Sequence, residues 1–370
     1  MITMKTYLVG GAVRDKLSGL NAKDNDWVIV GTTPSELKKL GYKQILASFP
    51  VFLHPKTGEE YALARTERKV AKGYHGFEVC FASTTTLEED LARRDLTINS
   101  IAIDNSGKII DPFNGQADIH NRVLRHTSTS FKEDPLRVIR LARFMAQLHD
   151  FKFTIAESTK SLVKKILDSG ELNHLTKERL NIEFKKALNY PNIFFEALES
   201  LGCLDTVFPK IRKNINKIPQ QSFFTNSLYK AATIEEKIAL IFYVFNANQI
   251  SQIKDEFKLS NSYYKLAITI SEIYRLTANA SKAEEILHTF RKTNILRDRN
   301  LFKKSFNLYR KLATILDKKN LISELANIEL IIANIQEMDI KLLIKNTPKH
   351  LITQTINQLY LDTINKHLKI

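Results

Sequence analysis

Asp24 and Asp26 stand one residue apart before an apolar run, Trp27-Val28-Ile29-Val30. A little upstream the chain reads Leu8-Val9-Gly10-Gly11-Ala12-Val13-Arg14-Asp15. Side chains at i and i+2 of a strand share a face, so both carboxylates would point to one spot. Two hard oxygen donors on a rigid strand suit Mg2+, which lowers the pKa of an attacking hydroxyl and neutralises a leaving pyrophosphate. Tyr7 to Val9 reads as a short strand, Gly10-Gly11 as a turn, and Ala12 to Leu17 as a helix. Backbone N–H groups and a helix N-terminus then converge beside the glycines, as a seat for phosphate. Singly, a double glycine before a helix is ordinary turn chemistry and Asp-x-Asp an ordinary solvated strand end. Together, with Arg14 close by, they point to metal-assisted chemistry on a phosphate.

A second set lies at Glu133-Asp134-Pro135-Leu136-Arg137-Val138-Ile139-Arg140-Leu141-Ala142-Arg143-Phe144. Asp134 before Pro135 marks a helix start. At about 100° per residue, Arg137, Arg140 and Arg143 sweep one side while Val138, Ile139 and Ala142 take the other. One reading is a solvated basic face turned to phosphate. The other is a base reader. Cytosine and adenine both present an amine donor beside a ring-nitrogen acceptor, whereas uracil and guanine present a carbonyl beside an N–H. A carboxylate next to an arginine satisfies the first pattern and leaves unpaired groups with the second.

The elements that must position these groups are legible in outline. Thr33-Pro34-Ser35-Glu36 starts a short helix that Gly41 stops, and Phe52 to His54 with Glu60 to Arg65 forms a hairpin around Pro55 to Gly58. Continued alternation puts Tyr61, Leu63, Arg65 and Glu67 on one face, making Glu67 either a third acid near the metals or a surface partner of a neighbouring arginine. Val70 to Phe77 reads as a mobile loop over a substrate or as a plain connection. Thr86 caps a helix, Leu87 to Arg94, with acids in its first turn and Arg93-Arg94 in its last. Val123 to His126 ends the mixed region near residue 128.

Composition bounds the rest. Residues 1–150 carry 21 Lys+Arg against 18 Asp+Glu and the remainder 34 against 22, within a net charge of +15 over 370 residues. A basic C-terminal part suits a long polyanion, or serves solubility. All 12 glycines lie at or before Gly202, and only Pro209, Pro219 and Pro348 follow Cys203. Helices with polar connections are therefore expected beyond about residue 203. The expected fold is α+β: a mixed or antiparallel sheet with helices on one side over 1–128, a helical neck over 129–210, and an all-α body and tail over 211–370. No membrane span or leader pattern is visible, and Cys80 and Cys203 are too few for a disulfide framework, so a soluble cytoplasmic protein is expected.

Through Lys23 to Gly31, Phe49 to Pro55, Tyr61 to Arg68, Arg93 to Asn99 and Glu133 to Arg143, the sequence resembles the nucleotidyltransferase core of the class II CCA-adding enzymes, proteobacterial type. The resemblance implies that Asp24 and Asp26 bind Mg2+ and that Glu67 is the third catalytic carboxylate. It implies nucleotide contacts by Gly11, Arg14 and Arg94, base reading by Asp134 and Arg137, and triphosphate or base contacts by Arg140 and Arg143. Asp95 and Asn99 match positions that touch the sugar or hold the loop. The implied activity is untemplated addition of C, C and A to a tRNA 3′ end from CTP and ATP, with release of pyrophosphate. The acceptor stem is the implied partner; no protein partner and no membrane is. An A-adding enzyme, a poly(A) polymerase and a non-catalytic RNA-binding protein remain as alternatives. Many proteobacterial relatives add a phosphohydrolase domain with a His-Asp pair. Here His288, His350 and His367 follow residue 203 and none precedes Asp, while His149-Asp150 reads as a helix C-terminal cation, so hydrolase activity is expected to be absent.

Overall fold

The structure, a computed structural model, describes residues 4–21, 25–45, 50–69, 77–278 and 282–368, with Glu67 to Lys69 and Phe77 to Val79 described by their backbone. The strands, in chain order, are β1 (Lys5–Val9), β2 (Asp26–Val30), β3 (Lys43–Gln44), β4 (Val51–Leu53), β5 (Glu60–Leu63), β6 (Thr66–Lys69), β7 (Phe77–Cys80), β8 (Ala102–Asp104) and β9 (Ile109–Ile110), followed by a short parallel pair, β10 (Val123–Leu124) with β11 (Thr154–Ile155). Seven of them make one mixed sheet in the order β3-β4-β5-β2-β1-β8-β9, in which β2 and β5 run parallel. β6 and β7 pair as a separate antiparallel ribbon.

Alternation along the strands sorts side chains to the two faces. Val9 lies opposite Asp26 and Tyr7 opposite Val28. On that face Val9, Val28 and Ala102 pack with Leu91 of α3 (Leu87–Ala92). On the other, Ile29 packs with Leu37 of α2 (Pro34–Lys39), and Leu8 with Val13 of α1 (Gly11–Leu17) and Ile119 of α4 (Gly115–Asn121). The sheet thus carries helices on both faces, not one, because the run before Arg93 folds over the face that bears Asp26. Burial of these Val, Ile and Leu side chains contributes roughly 1.5–3 kcal/mol each.

The hairpin forms as expected, with Phe52 opposite Tyr61. Its second strand does not run on to residue 67, however. After Leu63 the Ala64 N–H still bonds Ile29 O, but the Arg65 N–H donates to the Asp90 carboxylate and the Arg65 carbonyl accepts from Arg93 Nε at 2.8 Å. Side chains have taken the place of a strand neighbour, so the hairpin strand ends at Leu63 and β6 starts afresh in its own ribbon.

The chain forms two compact units, residues Met1–Glu183 with Ile193–Val207, and Phe184–Asn192 with Phe208–Ile370. The first holds the sheet together with α5 (Leu136–Gln147), α6 (Glu157–Asp168) and most of α7 (Lys177–Lys186). In the second, the described residues are helical, as the lack of turn glycines led one to expect. Phe208 stacks on Phe257 at 4.5 Å, and the buried Glu256 accepts the Lys210 and Ile211 N–H groups, satisfying the start of the helix Pro209–Arg212. No described helix is long and apolar enough to cross a membrane.

Candidate active site

Gly10 sits between β1 and α1 with φ +71° and ψ −138°, a conformation that is essentially glycine-only. The β1–β2 register sets Asp26 beside it. A Cβ built on Gly10 would lie 3.0 Å from Arg94 Nη1 and 3.7 Å from Asp26 Oδ2, so a guanidinium and a carboxylate converge on this backbone turn. Arg94 reaches it because α3 ends early. A reciprocal Thr86–Glu89 capping box fixes the helix start, and the helix stops at Ala92. Arg93 and Arg94 then turn back onto the buried Asp90, at 2.5 and 3.1 Å. Burial alone would raise the Asp90 carboxyl, but the Arg94 and Arg93 charges outweigh it and hold it below the usual carboxylate range. The paired arginines are thus aimed by a buried acid rather than spread along a helix end.

From the same turn a chain of polar contacts leads to α5. Arg14 Nη1 donates to Asn99 Oδ1 at 2.9 Å, and its Nη2 pairs with Asp15 at 2.7 Å. Asn99 Nδ2 donates to Asp95 Oδ1 at 2.9 Å, and Arg140 Nη2 meets Asp95 Oδ2 at 2.6 Å. Burial pushes the Asp95 carboxyl up, but the Arg140 charge and the Asn99 hydrogen bond prevail and keep it well below the carboxylate range. Arg14, Arg140 and Arg143 also surround the Phe144 ring, with Cζ atoms 5.3, 5.8 and 3.9 Å from its centroid. Arg14 and two of the α5 arginines therefore share one aromatic neighbour.

α5 is not a solvated basic face. Arg137 and Arg143 are 7 % and 6 % exposed, and Val138, Ile139 and Ala142 lie in the core. Arg137 Nη1 donates to Ser130 O at 2.7 Å and its Nη2 to Arg93 O at 2.6 Å. Asp134 Oδ1 accepts the Leu136 N–H, and its Oδ2 pairs with Arg179 at 2.7 Å. The glutamate Glu183, 3 % exposed, approaches Arg143 Nε within 2.5 Å and Arg140 Nη1 at 4.0 Å. The Arg143–Glu183 contact is an ion pair rather than an aligned hydrogen bond.

Asp24 and the loop from Val70 to Gly76 lie outside the described residues, as does the Glu67 side chain. Asp26 is the predicted metal-side carboxylate whose place is described, and no group of three or more acidic, His or Cys side chains is assembled among the described residues. A hard oxygen donor facing a guanidinium across a turn without a Cβ fits a divalent cation carrying phosphate. Glu183 and Arg179 escaped the sequence reading, since both sit in a charge-rich helix, Lys177–Lys186, whose pattern reads as solvated. His149 lies in the 3-10 turn that follows α5.

The sheet, the glycine turn and the arginine pair after α3 define a nucleotidyltransferase head. The family described as "Poly A polymerase head domain" matches residues 6–125, and that described as "Probable RNA and SrmB- binding site of polymerase A" matches residues 152–215. Among curated proteins, the CCA-adding enzyme of Francisella tularensis subsp. novicida is 52 % identical over 99 % of this chain and 100 % of its own length. The Multifunctional CCA protein of Haemophilus influenzae is 56 % identical over 56 % of this chain and 50 % of its own. The chain belongs to the CCA-adding enzyme family. The Bacillus stearothermophilus CCA-adding enzyme in complex with CTP has the same fold, with a TM-score of 0.68 at 21 % identity over 98 % of this chain and 89 % of that one. The Thermotoga maritima CCA-adding enzyme complexed with tRNA aligns with a TM-score of 0.58 at 22 % identity, over 99 % of this chain and 90 % of that one. Nucleotidyltransferases of this kind typically use divalent metals.

Proposed function

We propose that this protein adds C, C and A in turn to the 3′ end of tRNA from CTP and ATP, without a template, in the cytoplasm. The observation that carries the reading is the contact path from the Gly10 turn through Arg14, Asn99 and Asp95 to Arg140, which joins the phosphate side and α5 within one compact unit.

In this mechanism the triphosphate lies against the Gly10-Gly11 turn, with Arg14 and Arg94 on its oxygens. The tRNA 3′-hydroxyl attacks the α-phosphorus in line as the bond to pyrophosphate breaks. Mg2+, held by Asp24 and Asp26 with Glu67 as the third acid, would lower the pKa of the hydroxyl and neutralise the leaving group. Asp134 and Arg137 read the amine-donor and ring-acceptor edge shared by C and A, and Arg140 and Arg143 hold the triphosphate or base. Two of the five N–H donors of Arg137 go to the Ser130 and Arg93 carbonyls, which set the plane of its guanidinium. Residues 1–128 serve as the catalytic head, 129–210 as the neck with the base reader, and 211–370 as the body and tail that grip tRNA by shape and phosphate charge.

The test is incorporation on three tRNAs ending before CCA, after C and after CC, with Mg2+, CTP and ATP. Addition of C, C and A in order is expected. Incorporation of A alone would leave an A-adding enzyme or a poly(A) polymerase, and none at all a binding protein.

A further inference from the structure

The second unit holds a cavity that the transfer mechanism leaves unused. It measures about 850 Å³ and lies among the helices Ala283–Thr293, Lys319–Glu337 and Ile352–Leu368. That is the size of a site for one small molecule. The guanidinium groups of Arg291, Arg297 and Arg299 line it, and among the described residues no acidic side chain does. The acids that flank these segments are engaged as helix caps. Asp298 accepts the Leu301 N–H at 3.0 Å, and Asp339 the Leu342 N–H at 3.1 Å. All three arginines are exposed and form no ion pair among the described residues. A cavity lined by one sign of charge concentrates the opposite ion, and the guanidinium fork matches phosphate oxygens. Gln336 Nε2 donates to the Leu296 carbonyl at 3.1 Å, which ties the segment that carries Arg297 and Arg299 to the neighbouring helix.

The remaining wall is of another kind. Ile335, Ile356 and Tyr360 offer apolar and aromatic surface, and Asn357 between them has its Oδ1 without a hydrogen-bond partner. A flat heterocycle with an exocyclic N–H would pack on the first and satisfy the second. We propose that this cavity is a second nucleotide site, which takes one free nucleoside monophosphate with its phosphate on the arginines and its base on the Tyr360 and Asn357 wall. A single arginine cluster beside a single aromatic ring describes one nucleotide. An RNA strand takes a groove with successive stacking platforms. The site lies wholly within the second unit and shares no residue with the transfer site, so it does not depend on the transfer mechanism.

The experiment is equilibrium dialysis of the full chain against labelled AMP, in wild type, in R291A/R297A and in I356W, which fills the cavity. Thermal unfolding verifies that each variant is folded. Wild type binds one more AMP per chain than either variant. Loss of two charge-assisted contacts weakens that site by at least about 100-fold. In R291A/R297A, kcat and KM for CTP incorporation and the affinity for tRNA stay at wild-type values. Equal AMP counts in wild type and R291A/R297A, or no AMP bound by wild type, overturns the proposal. Inorganic phosphate that competes as well as AMP reduces the site to an anion hole and overturns it too. Displacement of this AMP by tRNA, or weakened tRNA binding in R291A/R297A, makes the cavity part of the RNA grip and overturns it likewise.

Discussion

Replacing Gly10 by alanine separates a backbone requirement from a site requirement. The added Cβ meets a conformation of φ +71° and ψ −138°, at a strain of about 1–3 kcal/mol. For a unit of this size that lowers the melting temperature by about 2–4 °C per kcal/mol. The Cβ would also stand 3.0 Å from Arg94 Nη1. Comfortable contact between heavy atoms begins at about 3.5 Å, so the guanidinium must retreat by roughly half an ångström. Because this is the far end of a flexible side chain, the retreat costs little stability and instead moves the group proposed to meet the triphosphate. Transfer should fall about 10- to 100-fold. Gly58 is the control, with φ +72° and no atom within 4 Å of its added Cβ. G58A should lose comparable stability and keep its transfer rate. Single-turnover incorporation from CTP, alongside thermal unfolding, reads both effects. Wild-type transfer in folded G10A, or an equal loss in G58A, would refute the reasoning.

Asp26→Ala should reduce transfer by about 1,000-fold or more while tRNA affinity stays, as measured by incorporation and by filter binding; retained turnover removes Asp26 from the metal side. Asp95→Asn should cost about 1–3 kcal/mol at neutral pH, a figure kept low because Arg140 is partly exposed. The Asp95 carboxyl is depressed in the folded state, so its contribution is present above the unfolded value of about 3.9 and is lost as pH falls through the folded value. Denaturant unfolding of wild type and D95N should therefore converge in acid and not at alkaline pH. Binding of tRNA should weaken steeply with salt, with a log–log slope steeper than about −3, and a flat dependence would deny the basic C-terminal half its role.

Which parts of the site the sequence revealed follows from the range of the forces involved. The β1 turn, the capped helices α2 and α3 and the hairpin are set by local rules of glycine, capping and alternation, and all three are present. The helical second unit was legible from missing glycines. What periodicity cannot show is a side chain that replaces a backbone neighbour. Asp90 captures the Arg65 N–H and both arginines after α3, and so breaks a strand that alternation carries through to residue 67. The three α5 arginines look like a wet stripe on a helical projection, yet Arg137 and Arg143 are buried. The Ser130 and Arg93 carbonyls that take Arg137 and the Glu183 carboxylate that pairs with Arg143 come from separate segments that only the folded chain brings together, while Gln147 of α5 itself accepts from Arg143.

That arrangement bears on how a protein can select a base without a template. With Asp134 as the proposed base reader, rejecting uracil slows transfer only if a misread base also misplaces the α-phosphorus, which requires the proposed base reader and phosphate turn to move as one body. A flexible joint between them would let a wrong base sit badly while its phosphate sat well. The contacts Arg14–Asn99–Asp95–Arg140, each under 3 Å, remove that freedom. Their central carboxylate is buried and held charged by Arg140, so the path does not loosen by protonation near neutral pH. On the proposed reading, fidelity is thus a matter of stiffness between the Gly10 turn and α5, joined through Arg14, Asn99, Asp95 and Arg140.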